Sequence, residues 1–286
     1  MGYHEDTTDL TKTQLSVFID SPAEYEAQYI TGTMARRKQT AEMIVGTCCH
    51  AAMLEKKRID DLIGVYPDSC LKSDKTINGK PAAKHRAENP GKYWMKEQER
   101  DNIVKVYNRL KDTAIADAIA ASTKFEHVWR ANLYGRSCKC MTDIAGDTGQ
   151  QWDVWDLKFT NNIRQFYKTS KQFRYWLQDA HYSPIVSENV GKPVRFRFLV
   201  AETVEPYRVR IHWYDEIKRE AAARSHKSHI LSFMACEKSG IWPDNYDPNL
   251  PLSEYDLGGG EVLFDDETLD AMNESVDEYE EAEMPF

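Results

Sequence analysis

The strongest constraint on the fold is a change of period at residue 124. From there to residue 160 the two-residue spacing of strands replaces helical spacing. Three runs follow one another: KFEHVWRANL (124–133), SCKCMTDIAG (137–146) and QQWDVWDLKFT (150–160). GDTG, at 146–149, supplies a turn between the last two. Helical spacing returns in NIRQFYKTSKQFRYWLQDAHYS, which reads as one helix. VRFRFLVAET and YRVRIHWY are two more strands, divided by Glu205-Pro206, and DEIKREAAARSHKSHILSFMACEKS is an amphipathic helix. Helices, a three-strand meander, a helix, two strands and a helix predict an α/β fold with a mixed central sheet flanked by helices.

The segment before residue 124 is mainly helical in spacing. LTKTQLSVFIDSPAEYEAQY reads as two short helices, the first capped by Thr11 or Thr13 and the second opened by Ser21-Pro22 with proline at its first position. TAEMIVGTCCHAAMLEKK reads as a longer, buried helix, and KEQERDNIVKVYNRLKDTAIADAIAAS keeps helical spacing throughout. Residues 66–93, rich in Lys, Gly, Pro and Asn, read as a loop. Residues 237–286 lose periodicity, and the sequence divides into a folded domain over 1–251 and an acidic, disordered tail over 252–286.

The tail distorts the overall charge. The chain of 286 residues carries a net charge of −9, yet residues 252–286 hold thirteen Asp and Glu and no Lys or Arg. Residues 1–251 alone carry a net +4, a basic body suited to a polyanionic partner. None of the six cysteines stands in a C-x₂-C pair, so they read as thiols of a reducing compartment rather than zinc ligands. No run approaches eighteen apolar residues and the N-terminus lacks a signal pattern, so a cytoplasmic location without membrane contact is expected. Gly2 is followed by Asp6 where a myristoylation motif wants Ser or Thr.

Chemistry concentrates in DVWDLKFT (153–160). Asp156 and Lys158 share one face of their strand, and Trp155, Leu157 and Phe159 share the other. Alone, such a pair is an exposed ion pair. Asp143, on the preceding strand, completes a D-x₁₂-D-x-K pattern. Two carboxylates and a lysine at adjoining strand ends suit metal-dependent phosphodiester hydrolysis, in which a hard cation binds oxygen ligands and activates water while the lysine orients that water. A tight turn at GDTG would pair Asp143 with Trp152 or Asp153. Asp143 and Asp156 could then meet one metal only across a bulge or bend, and Asp153 is the rival ligand. Gly46 and His50 lie on one helix face, with Gly46 allowing close backbone approach and His50 a possible ligand; Gln178 and Tyr182 have the same spacing. Glu126 and Glu202 are further carboxylates on strands.

In order, these pieces are GxxxH on a helix, an Asp on a strand, D-x-K on the next strand and QxxxY on the following helix. The set resembles the RecB-like branch of the PD-(D/E)XK nucleases, and within it the exodeoxyribonuclease VIII (RecE-type) family. LTKTQLSVFIDSPAEYEAQY, GTCCHAAMLE, CKCMTDIAG, WDLKFT and FLVAETVEPY match in order and approximate spacing, over about residues 10–215. The resemblance implies the PD-(D/E)XK nuclease fold. It implies metal binding by His50, Asp143, Asp156 and the Leu157 carbonyl, with Mg²⁺ or a substituting Mn²⁺. It makes Lys158 catalytic and has Gln178 and Tyr182 support the site and the DNA. It also implies 5′-to-3′ digestion of linear double-stranded DNA by a ring-shaped homo-oligomer working with a single-strand annealing protein. Phe159 departs from the family, which has Thr after the lysine, as does Cys140-Met141-Thr142 before Asp143. A related branch holds an iron–sulfur cluster through four cysteines, one early and three grouped late; only Cys236 lies late here, so that cofactor is not expected.

RQFYKTSKQFRYW sets Arg164, Lys168, Lys171 and Arg174 among five aromatic residues, a pattern for phosphate contact and base stacking. Arg36 and Arg37 are a second phosphate-binding candidate. EYEEAEMPF resembles the acidic tip of bacterial single-strand-binding proteins, which implies docking in a basic-rimmed pocket. The competing reading of the whole is a protein of the same fold that binds DNA ends, or scaffolds recombination, without cutting.

Overall fold

The computed structural model describes residues 8–36, 41–54, 59–111 and 124–244. The expected tail at 252–286 and Arg37 lie outside these residues, as do residues 112–123 of the expected long helix.

Helix α1 (Lys12–Asp20) begins where Thr11 caps it: the Thr11 hydroxyl accepts from the Gln14 N–H while the Gln14 side chain accepts from the Thr11 N–H, a reciprocal capping box. Ser21 caps α2 (Pro22–Tyr25), which continues as a π-turn over Glu26–Ile30. Then come α3 (Ala41–Leu54), α4 (Ile59–Leu62), β1 (Ile63–Val65), a 3₁₀ turn (Asp68–Cys70), α5 (Gly79–Glu88), β2 (Tyr93–Met95) and α6 (Glu97–Lys111). The loop expected over 66–93 is therefore wrong. Its polar residues coat a small module with its own core of Tyr66, Cys70 and Ala82, against which Trp94 packs. β1 and β2 form a separate two-stranded parallel sheet. Runs this short carry too little hydrophobic periodicity to stand out from a loop.

The main sheet has five strands in sequence order: β3 (Lys124–Leu133), β4 (Arg136–Asp147), β5 (Trp152–Thr160), β6 (Val194–Glu202) and β7 (Val209–His212). Only β5 and β6 run parallel; every other neighbouring pair is antiparallel. Between β5 and β6 the expected single helix is broken in three: a 3₁₀ turn (Ile163–Gln165), α7 (Phe166–Gln172) and α8 (Tyr175–Val190). The break falls at Arg174, whose φ of 47° is left-handed and cannot continue a helix. Asp215 caps α9 (Glu216–Ser239), and Gly240, at φ 70°, ends it.

Each face of the sheet carries its own core. On one, Val154, Phe196 and Phe198 pack with Leu15 and Phe18 of α1, Leu177 and Ile185 of α8, and Phe233 of α9. On the other, Trp155, Leu157 and Leu199 pack with Cys48 and Cys49 of α3 and Ile103 and Val106 of α6. Burial raises the Cys48 thiol pKa to about 11 and that of Cys49 to about 12, as befits inert core residues. Among the described residues no helix is long and apolar enough to cross a membrane.

Candidate active site

The β4–β5 hairpin turns later than GDTG suggests. β4 runs to Asp147, and residues 148–151 make the turn, closed by the Thr148 N–H donating to the Gln151 carbonyl at 2.9 Å. The ladder pairs Asp147 with Trp152 and Ile144 with Trp155. Continuing that register sets Asp143 opposite Asp156, so the hairpin needs no extra residue to bring them level. The pairing stops there. The Leu157 N–H donates to the Asp143 carboxylate at 2.7 Å, and the Leu157 carbonyl lies 3.0 Å from His50 Nε2, which reaches in from α3. Asp143 also sits where β4 loses its alternation. Thr142 accepts from Trp129 in one core, whereas Ile144 is buried in the other. Glu126, the β3 residue at this level, has a left-handed φ of 44°. A local distortion thus opens a seam between β4 and β5 and points side chains into it.

Asp156, buried on β5, forms an ion pair with Lys158 and accepts a hydrogen bond from Gln178 of α8. Lys158 also donates to Gln178 Oε1 at 3.1 Å, so the Gln178 amide bridges both members of the D-x-K pair. Lys158 lies 4.8 Å from the Tyr175 ring centroid, a cation–π contact. Burial opposes its charge, but Asp156, Tyr175 and Asp143 outweigh burial and raise its pKa above the ordinary lysine value. Asp143 goes the other way for an acid: burial first, then the Asp156 charge, lift it to about 6, against the pull of His50 at 3.6 Å.

The remaining sequence candidates separate clearly. Asp153 is spent on Arg195, which donates to both its oxygens at 2.8 and 2.6 Å. Glu202 is buried, accepts from Arg208 through both oxygens and receives the Ile163 N–H, which fixes the chain after β5. Tyr182, one turn beyond Gln178, packs on Phe196 at 5.9 Å. A Cβ on Gly46 would only touch Phe159 at 4.0 Å, so the close approach expected of this glycine is not required by packing. Phe159 meets the His50 ring edge-on at 5.5 Å. Among the basic candidates, Arg164, Lys168 and Lys171 are exposed, Arg174 is paired with Asp20 at 2.7 Å, and Arg36 stacks on Tyr29 at 4.6 Å. Two site residues escaped the sequence reading. Tyr175 was legible only as one aromatic among five. Lys12, inside the capping sequence, carries no local signal at all; burial and the nearby Lys158 charge lower its pKa to about 8.

The donor set is two carboxylates, a carbonyl and an imidazole, of which oxygen donors suit a hard divalent cation. Asp156 Oδ2 is buried and accepts no hydrogen bond apart from its ion pair with Lys158. Among the described residues, however, no three His, Cys, Asp or Glu side chains converge on one point, because Asp156 is turned toward Lys158 and Gln178.

A mixed sheet of this order, with an Asp and a D-x-K at an opened seam, defines the PD-(D/E)XK nuclease superfamily fold. The chain belongs to the family described as PDDEXK-like domain of unknown function (DUF3799), whose model matches residues 11–247. The fold is also similar to the crystal structure of a conjectured exonuclease from Eubacterium rectale, with a TM-score of 0.59 and 14% identity over 90% of this chain and 95% of that one. No curated protein matches the chain in sequence.

Proposed function

We propose that the protein is a metal-dependent exodeoxyribonuclease that digests linear double-stranded DNA, 5′ to 3′, with Mg²⁺ or Mn²⁺. The observation that carries this reading is the seam at which Asp143, Asp156, Lys158, His50 and the Leu157 carbonyl meet from three elements. In this reading Asp143, Asp156 and the Leu157 carbonyl hold the ion with His50 beside them. A bound Mg²⁺ would polarise the phosphate and acidify a water. Lys158 holds the attacking water and offsets charge on the phosphate. Gln178 keeps Asp156 and Lys158 in register with each other, and Tyr182 supports the helix that carries Gln178. A cation would also relieve the raised Asp143 pKa and give Asp156 Oδ2 a second partner. The resemblance to the exodeoxyribonuclease VIII family supports end-directed digestion by a ring-shaped homo-oligomer working with a single-strand annealing protein. We assign the acidic residues 252–286 to protein contact, since thirteen carboxylates repel a phosphate backbone.

The test is digestion of linear duplex labelled at the 5′ or the 3′ end, with Mg²⁺. Early release of the 5′ label is expected, together with loss of activity by orders of magnitude in Asp156→Ala and Lys158→Ala. Near-normal digestion by a folded Asp156→Ala protein overturns the assignment. Tight end binding with no cutting under any divalent ion replaces it with the scaffold reading, and cutting of closed circles replaces it with an endonuclease.

A further inference from the structure

Three rings form a column beside Lys158. Tyr175 stacks on the buried Phe198 of β6 with centroids 5.5 Å apart and planes inclined by 26°. Phe173 continues the stack on Tyr175 at 6.2 Å and 26°. Lys158 Nζ lies 4.8 Å from the Tyr175 centroid and 6.0 Å from that of Phe198. The outer ring, Phe173, is 43% exposed. A lone exposed aromatic is ordinary. This ring differs in being fixed. The Phe173 carbonyl accepts from Lys12 Nζ at 3.1 Å, and Arg174, left-handed, is paired with Asp20 at 2.7 Å. Helix α1 therefore pins both residues of the α7–α8 break, and the column ends as a held, open aromatic face.

What fits such a face is set by its surroundings. Lys12 Nζ sits at the Phe173 carbonyl, Arg174, paired with Asp20, follows it in the chain, and the exposed Lys168 and Lys171 lie on the helix leading to it. An apolar protein segment would have to be laid among these cations. A nucleobase carries its own phosphate, and one more flat ring extends the column outward. We infer that Phe173 is the stacking platform for an unpaired nucleobase beside the scissile phosphate. The inference rests on the nuclease reading and deepens it: the substrate is a DNA end opened by at least one base pair, held by ring stacking rather than by base-edge recognition, and so tolerant of sequence.

A ring-by-base double-mutant cycle tests this. The substrate is a hairpin duplex with one open end, its cut strand carrying either a normal nucleotide or an abasic one at each of the first three positions. Binding is followed by anisotropy in metal-free buffer and cutting by kcat/KM with Mg²⁺, for wild type, Phe173→Ala and Phe173→Trp. Wild type should favour the intact base about tenfold at one position, in the range of base–aromatic stacking. Phe173→Ala should lose that preference and Phe173→Trp should keep it, each with an unchanged melting temperature. A purely structural role lowers both substrates equally, and that result, or a preference that survives in Phe173→Ala, overturns the inference. Coupling seen in binding without any cutting keeps the platform and sinks the nuclease. A wild-type protein that neither binds nor cuts overturns both.

Discussion

Mild acid should destabilise this protein, chiefly through two fully buried histidines. His181 of α8 and His226 of α9 are fully buried, and His181 Nδ1 lies 3.0 Å from His226 Nε2. His181 Nε2 lies 3.2 Å from the Lys139 carbonyl, which can only accept. Nε2 of His181 therefore carries its proton, Nδ1 accepts, and His226 donates from Nε2. A proton added to His181 would face the His226 donor. One added to His226 would go to Nδ1, which has no hydrogen-bond partner among the described residues. Burial accordingly lowers His181 to about 4 and His226 to about 2. An unfolded histidine titrates near 6.5, so between pH 6.5 and 4 the unfolded chain binds the extra protons and stability falls with pH. At pH 5 each residue costs about 2 kcal/mol, about 4 for the pair. His229, one turn further along α9 and lowered to about 4 by burial and then by Arg174, adds about 2 more. Asp143 has the opposite sign: held at about 6 when folded, it recovers about 1 kcal/mol on acidification to pH 5. The net loss is about 5 kcal/mol, a large share of a typical domain's stability. Urea unfolding at pH 7, 6 and 5, at constant ionic strength, measures it. His226→Gln keeps a donor toward His181 and removes one titrating group, so it should remove about a third of the histidine contribution. A midpoint that does not move between pH 7 and 5, or a slope unchanged in His226→Gln, refutes the reasoning.

Three further outcomes are expected. Asp143→Asn should stabilise the metal-free protein by up to about 3 kcal/mol at pH 7.5, with the gain fading below pH 6 and gone near pH 4, where the native carboxyl is protonated anyway; thermal melts at the three pH values check it. Asp153→Asn should cost about 1–2 kcal/mol through its Arg195 hydrogen bonds, while leaving nuclease activity intact, which a paired melt and digestion assay reads directly. Gly64→Ala should cost about 1–3 kcal/mol by overpacking, because its Cβ would fall 2.5 Å from the Trp94 ring; that ring is held by the Asn89 carbonyl and His85, so near-ultraviolet circular dichroism should register the shift.

The legible parts of the sequence were those written in a local period or a local cap. Thr11, one of the two caps offered for α1, and Ser21 start the helices they cap, and the five strands of the main sheet stand where alternation placed them. The break at Arg174 was not legible. A left-handed arginine has no propensity signal, and its causes, Lys12 and Asp20, lie more than 150 residues away in sequence. The β1–β2 module was missed for the same kind of reason, since three-residue strands owe their existence to the packing of Tyr66 and Trp94. Two of the five aromatics in RQFYKTSKQFRYW are substantially exposed, Tyr167 at 66% and Phe173 at 43%; sequence alone could not say which.

The seam between β4 and β5 shows why a site of this kind resists reading from a regular hairpin. Pairing that continued past Ile144 and Trp155 would spend the Leu157 N–H and carbonyl on β4 backbone and bury them between strands. Here Asp143 takes the N–H with its side chain and His50 takes the carbonyl from the opposite layer, so both backbone groups remain satisfied while the strands part. The sheet thereby gains an opening at little cost in unpaired polar groups, and that opening is where the D-x-K pair sits. Two helices on opposite faces must both be in place for it: α3 to bring His50, and α8 to bring Gln178. The ion pair of Asp156 and Lys158 is then a buried one, dependent on Gln178 and Tyr175, rather than the solvent-facing pair that D-x-K on an isolated strand would form.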